Sequence, residues 1–166
     1  MAHIHFEEEQ RFSNVPWVWI ATLLLLVVPL ALMAGNEEIS SAHLGKIFLT
    51  TAVAFLPVVA ILFYSKLEVK INKEGLHYKF FPAVLHWKVV PKEIIQSFEV
   101  TPKQNLMEKL EIGFKRNLIS KSISMNITGS KFARLKLSDG RILRIGTAKG
   151  DEFERALQKL TSTQKF

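Results

Sequence analysis

The stretch "SKFARLKLSDGRILRIGT", residues 130–147, alternates apolar and polar residues on both sides of one short turn. This period of two predicts a β-hairpin with one buried face. A two-residue turn at Asp139 and Gly140 would place Leu135 opposite Arg144 and mix the two faces. A three-residue loop over 138–140 instead pairs Leu135 with Leu143, so we expect that register, with Gly140 in the left-handed conformation.

The outer face of this predicted hairpin is basic, since the register leaves Arg134, Lys136 and Arg144 on the side away from the core. Upstream, short alternating segments such as "LEVKIN", "LHYKFF", "HWKVV" and "QSFEVT" predict further strands, and "PKEIIQ" a single helical turn. "ISKSISMNI" predicts a strand with Ile119, Ile123 and Met125 on one side. Together with the hairpin, residues 67–147 are therefore predicted to form about seven strands.

After Thr147 the period changes to that of a helix. In "GDEFERALQKL" the apolar residues Phe153, Leu157 and Leu160 recur at helical spacing, and acidic residues occupy the first turn, where they suit the helix dipole. We therefore expect a C-terminal helix that packs on the strands and closes one end of them.

Two apolar runs, residues 16–34 and 47–64, precede the strands and contain no charged residue. Each is long enough to span roughly 27–29 Å as a helix, close to the hydrocarbon thickness of a bilayer. The first run could instead be a signal peptide, although "HFEEEQRF" before it is acidic where a signal peptide is basic. Either run could also be a buried core helix, but the rest of the chain offers little protein to cover two.

The charges around these runs predict the topology. Of the 22 lysines and arginines, twenty follow Ser65, while the loop between the runs contains Glu37 and Glu38. Basic flanks remain in the cytoplasm. We therefore expect a multi-pass protein of the plasma (bacterial inner) membrane, with two helices forming a hairpin and both termini cytoplasmic.

Strands in this number and order, followed by a closing helix, resemble the pleckstrin-homology fold. More specifically, "LEVKINKEGLHYKFFP", "HWKVVPKEIIQSFEV" and "KSISMNITGSKFARLKLSDGRILRIGT" are similar to bacterial membrane proteins that carry a PH-like domain behind a two-helix transmembrane hairpin. The resemblance implies a mainly-β, PH-like seven-stranded barrel or sandwich closed by the C-terminal helix. It implies a fold and no specific task, since these proteins share no catalytic motif.

The expected organisation is therefore a cytoplasmic tail at 1–15, a membrane hairpin at 16–64 with an external loop at 35–46, and a PH-like domain at 66–162. The chain has no cysteine, which excludes disulfides and thiolate chemistry, and its histidines have no clustered ligands around them. No phosphate-binding or nucleophile motif appears. We therefore expect no enzyme, no cofactor and no metal site. The spans contain no acidic or basic side chain, which argues against a pump or transporter.

Residues 66–166 carry 20 basic and 10 acidic side chains, so the domain is strongly basic. Beside a membrane, anionic lipid is a nearer partner for such a surface than nucleic acid, which we do not expect to bind. The predicted lipid-contact residues are Lys66, Lys70, Lys73, Arg134, Lys136 and Arg144. Alternatively, the basic residues only secure topology and solubility.

Three functional classes follow: a tethered module that binds protein partners or its own copies, a binder of anionic lipid headgroups, and an accessory subunit of a larger membrane complex.

Overall fold

The computed structural model describes residues 5–34 and 41–162, and divides them into two compact units. One unit is helical and covers residues 12–65. The other combines residues up to Arg11 with those from Lys66 onward, so the chain leaves it after Arg11 and re-enters it at Lys66. Its fold is a mixture of two β-sheets and helices, the last of which is C-terminal.

The helical unit contains a short 3-10 turn, Phe12–Asn14, followed by α1, Pro16–Ala34, and α2, Ser41–Tyr64. Residues 35–40 of the predicted external loop lie outside the described residues, and the rest of that loop belongs to α2. The ring of Trp19 lies 6.2 Å from that of Phe63, centroid to centroid. The first turn of α1 therefore contacts the last turn of α2.

Of the two predicted spans, one is shown to be long and apolar enough to cross a membrane within the described residues: Gly45–Tyr64. None of its residues is buried in the structure. Among the described residues of α1, the apolar stretch Pro16–Leu25 is shorter than such a span. The structure therefore supports one candidate span, and the two-span hairpin stays a prediction.

The first sheet contains four antiparallel strands in the order β1-β2-β3-β4. Their bounds are Phe6–Arg11 for β1, Lys66–Ile71 for β2, Gly75–Phe81 for β3 and Val84–Pro91 for β4. The inward positions are apolar on β2 and β3, where Leu67, Val69 and Ile71 face the core. Gly75 is required where β3 meets β4, because a Cβ there would lie 2.2 Å from the carbonyl oxygen of Val90.

The second sheet contains five strands in the order β5-β8-β9-β7-β6. A 3-10 turn, Lys92–Ile94, leads into it, as the segment "PKEIIQ" predicts. A five-residue helix, α3, Leu106–Leu110, lies between β5 and β6 in sequence. The strand bounds are Ile95–Pro102 for β5, Gly113–Asn117 for β6, Ser122–Asn126 for β7, Lys131–Leu137 for β8 and Ile142–Thr147 for β9.

The predicted hairpin register is confirmed, because Leu135 pairs with Leu143 and Ala133 with Ile145. The backbone N–H of Leu137 donates to the carbonyl of Arg141, which closes a three-residue loop, and Gly140 has a φ of 78°. The C-terminal helix α4, Gly150–Ser162, is also confirmed. Its predicted apolar face is fully buried at Phe153 and Leu157, and Leu160 is 3% exposed.

Of the predicted seven-stranded barrel or sandwich, the sheets and the C-terminal helix are present, but the strand number and the closed barrel are wrong. The described residues form nine strands in two sheets and no closed barrel, and β7 runs parallel to β9. The segment predicted as an N-terminal tail supplies one additional strand, β1. Ile119, predicted to lie on a strand, instead lies in the turn between β6 and β7.

Candidate functional site

Lys66 and Lys70 lie on the outer face of the first sheet, where acidic neighbours partly neutralise them. The Lys66 ammonium lies 3.1 Å from a carboxylate oxygen of Glu68, and that of Lys70 lies 2.8 Å from Glu7. The Lys70 ammonium also lies 5.2 Å from the centre of the Trp87 ring. This face therefore carries charges of both signs, and the contact of Lys66 and Lys70 with lipid stays a prediction.

Lys73 lies in the turn that follows β2, at the end of the strand away from Lys66. Seven residues of extended chain separate the two lysines by roughly 20 Å. Lys73 therefore lies at the other end of β2 from Lys66, and its contact with lipid stays a prediction.

The three basic residues of the β8–β9 hairpin also separate into different environments. Arg134 and Lys136 are exposed on the outer face of the second sheet. Arg144 pairs with Arg134 in the register, but its side chain is only 21% exposed. Its guanidinium lies 3.4 Å from Glu108 and from Glu111, and 4.5 Å from the centre of the Phe132 ring. Arg144 thus links β9 to α3 and to the residue that follows it, Glu111, and its contact with lipid stays a prediction.

Lys103 belongs to the same group, with its ammonium 4.9 Å from the centre of the Phe132 ring. Burial lowers the pKa of Lys103 below its usual value, and the charges of Glu111 and Glu108 oppose that shift. These contacts satisfy one another, so this group of residues is a structural contact.

A buried polar cluster joins β1 to the second sheet. The Gln10 amide donates to the carbonyl of Gly146 at 2.7 Å and accepts from the N–H groups of Ile127 and Thr128. The Glu8 carboxylate accepts from the Thr147 hydroxyl and from the backbone N–H of Ala148. Since these buried polar groups have partners, their role is to fix β1 in the fold.

The turn between β6 and β7 differs from all of these contacts. The Asn117 side chain accepts hydrogen bonds from the N–H groups of Ile119 and Ser120, at 2.9 and 3.1 Å, and so shapes the turn locally. Leu118 is 74% exposed and Ile119 97% exposed. The turn therefore projects two aliphatic side chains into solvent.

A hollow of about 270 Å³ lies at the base of this turn, lined by Arg116, Lys121 and Arg141 together with Asn117 and Ser122. Lys115 adds a fourth exposed cation on β6. No carboxylate of the described residues forms an ion pair with Lys115, Arg116 or Lys121. We define the basic turn as residues 115–121 together with Arg141.

Arg141 is held in place by Asp139. Its guanidinium lies 2.6 Å from the Asp139 carboxylate, and its backbone N–H donates to the same group at 2.9 Å. The backbone hydrogen bond from Arg141, together with its side-chain hydrogen bond and charge, lowers the pKa of Asp139. Burial raises the pKa of Tyr78, while the charges of Arg141 and Arg116 act in the opposite direction.

The basic turn lies at the end of the strands opposite to Arg11 and Lys66. Three backbone hydrogen bonds connect the loops at this end: Lys92 N–H to Glu74, Ser138 N–H to Ile94, and Ile142 N–H to Lys121. The β2–β3 turn, the 3-10 turn after β4, the β8–β9 loop and the basic turn are therefore neighbours.

Sequence reasoning missed the basic turn. In the segment "KRNLISK", residues 119–121 belong to a predicted strand, and residues 115–118 are assigned to no element. The sequence contains a signal for it. Lys115, Arg116 and Lys121 flank two aliphatic residues that follow an asparagine, a residue that favours turns. Arg141, from the β8–β9 loop, is the fourth cation. Within the part of the chain that the structure describes, no three histidine, aspartate or glutamate side chains are close enough to hold a metal ion.

No protein family, no curated protein and no solved structure matches the chain.

Proposed function

We propose that this chain is an integral membrane protein that presents its two-sheet unit as a tethered, non-enzymatic interaction or scaffold module. The observation that carries the proposal is the helix Gly45–Tyr64, which exposes apolar side chains along its whole length and is separated from β2 only by Ser65. Water would penalise so much apolar surface, and a bilayer would not.

The proposed topology is a two-helix hairpin in the plasma membrane, with both termini in the cytoplasm. It is supported by the contact between Trp19 and Phe63, which brings the first turn of α1 to the last turn of α2. The pairing of Arg11 with Lys66 also means that the chain leaves and re-enters the two-sheet unit at adjacent points. Twenty of the 22 basic residues follow Ser65, which favours a cytoplasmic location for that unit.

The PH-like assignment belongs to this proposal. Its support is the strand pattern, the confirmed β8–β9 register and the buried face of α4. The module is proposed to act by binding, because the basic turn offers cations and apolar side chains to an outside partner.

The topology can be tested with single cysteines, because the chain has none of its own. Ser41→Cys should react with a membrane-impermeant thiol reagent on intact cells. Ser162→Cys should react only after the membrane is permeabilised. Reaction of Ser162→Cys but not Ser41→Cys on intact cells would overturn the topology.

One alternative function has an observation in its favour: a binder of anionic lipid, supported by the basic turn. Cross-linking in native membranes, followed by purification in mild detergent, separates the functional classes. A soluble partner supports the interaction module. A stoichiometric membrane partner would instead indicate an accessory subunit of a larger complex.

A further inference from the structure

The basic turn combines two features that rarely occur together on a surface in contact with water. Its tip consists of Leu118 and Ile119, which are 74% and 97% exposed. Its base carries Arg116, Lys121 and Arg141, which line a hollow of about 270 Å³ together with part of Leu118. Lys115 is a further exposed cation on β6. The order of these groups, aliphatic at the tip and cationic behind it, matches the order of layers at the surface of an anionic bilayer.

We propose that the basic turn inserts Leu118 and Ile119 into the boundary between lipid headgroups and acyl chains, while its cations contact lipid phosphates. This inference rests on the proposed membrane anchoring of the chain and names the surface that its two-sheet unit binds. Apolar side chains at such a depth leave water, and basic residues near an anionic surface are attracted to it.

The shape of the site favours a bilayer over a groove on a protein. The aliphatic tip consists of two exposed residues, so it does not offer the broad apolar patch of a protein interface. A lipid surface is deformable and accepts a tip of two residues. Its phosphates can also contact several cations at once.

The local charge supports the same partner. Asp139 is the acidic residue beside the hollow, and it is engaged by Arg141. Lys115, Arg116 and Lys121 have no carboxylate partner among the described residues, so a phosphate that approaches them displaces no existing ion pair. Arg144, in contrast, would have to leave Glu108 and Glu111.

Contact by the basic turn would restrict the orientation of the two-sheet unit. The chain joins its helices through Arg11 and Lys66, at the other end of strands that are roughly 20 Å long. A second contact at the basic turn would hold the strands along the membrane surface.

The test uses the full chain in liposomes, with a polarity-sensitive fluorophore on Ile119→Cys. In vesicles that contain phosphatidylglycerol, the emission should shift to shorter wavelengths, and nitroxides attached to lipid should quench it. In vesicles of phosphatidylcholine alone, or at high salt, most of the shift should be lost. The double variant Arg116→Gln/Lys121→Gln should also lose most of it.

Gln158→Cys, on the exposed side of α4, is the matched control and should show no shift in either vesicle. Flotation with the vesicles and protease protection of the helices verify in each sample that the chain is inserted. If the chain is inserted but the Ile119 label remains in water in anionic vesicles, the inference is overturned while the membrane anchor stands. An equal shift in vesicles with and without phosphatidylglycerol would also overturn the inference. Shielding of the Ile119 label that occurs only in native membranes would overturn it in favour of a protein partner.

Discussion

The pKa of Tyr78 reports on the charge of the basic turn, because Arg141 and Arg116 act on it. Burial raises the pKa of its phenol, and the charges of Arg141 and Arg116 partly offset that shift. The chain has two tyrosines, so Tyr64→Phe leaves Tyr78 as the only one. In that background, we expect the phenolate absorbance to titrate with a midpoint above 10.0.

Neutralising Arg116 and Arg141 by glutamine should raise the Tyr78 midpoint further, because both charges favour the phenolate. Arg134→Gln, on the outer face of the second sheet, is the control and should leave the midpoint unchanged.

The direction of the Tyr78 pKa shift also fixes how the stability of the fold depends on pH. The contribution of Tyr78 is complete below its unfolded pKa, near 10, and is lost as pH rises through the higher folded pKa. A midpoint at or below 10 would contradict this account.

Ile119 shows why the basic turn was not predicted from the sequence. Ile119, Ile123, Met125 and Ile127 recur with a period of two, which is typical of one face of a strand. The Asn117 side chain competes with that pattern because it accepts hydrogen bonds from two backbone N–H groups. Lys121 adopts a φ of 48°, which is not the φ of a strand residue. Local hydrogen bonds thus end the alternation before Ser122, and Ile119 is left in solvent.

At the scale of elements, α3 contacts the second sheet through the ion pairs of Arg144 and through Asn126, whose amide donates to the carbonyl of Glu111. The helix has five residues, too few to be stable alone, and Arg144 contacts its acidic side through Glu108 and Glu111. We expect Arg144→Met to retain packing on Phe132 but to release α3, at a cost of about 0.5–2 kcal/mol for two partly exposed ion pairs.

The measurement is hydrogen exchange, which should become faster in residues 103–111 of the Arg144→Met variant while the amides of β8 and β9 remain protected. Arg134→Met is the matched control, because Arg134 lies opposite Arg144 in the register and is exposed. Equal exchange of α3 in the variant and the unmodified chain would show that Arg144 does not hold this helix.

Elements whose pattern is local were predicted well. The β8–β9 register follows from the alternation and one glycine, and α4 from the spacing of Phe153, Leu157 and Leu160. The strand β1 was missed because its inward residues include Glu8 and Gln10, which no alternation of apolar residues marks. Their partners lie more than 100 residues away in sequence, at Ile127, Gly146 and Ala148. Only the folded chain brings these groups together.

At the scale of the whole molecule, the two-sheet unit is discontinuous in sequence. The predicted boundary at residue 66 therefore omits part of it. Phe6 packs edge-on against Phe153, with ring centres 4.9 Å apart, and β1 pairs with β2 along six residues. A fragment that begins at residue 66 would lose these contacts. It would also leave the N–H groups of Ile127, Thr128 and Ala148 without their partners.

We therefore expect a fragment of residues 66–162 to unfold at lower urea concentration than one in which residues 5–11 are joined to 66–162. A short glycine–serine linker suffices for the joined fragment, because Arg11 and Lys66 are paired neighbours. Urea unfolding can be followed by the fluorescence of Trp87, since Trp17 and Trp19 lie in α1 and are absent from both fragments.

In the joined fragment, Gln10→Leu should lower the free energy of unfolding by about 1–3 kcal/mol for each backbone group left unsatisfied. The exposed Glu9→Gln should cost little. Equal unfolding midpoints for the two fragments would mean that β1 is not an integral strand of this unit, and the polar contacts of Glu8 and Gln10 would then not contribute to its stability.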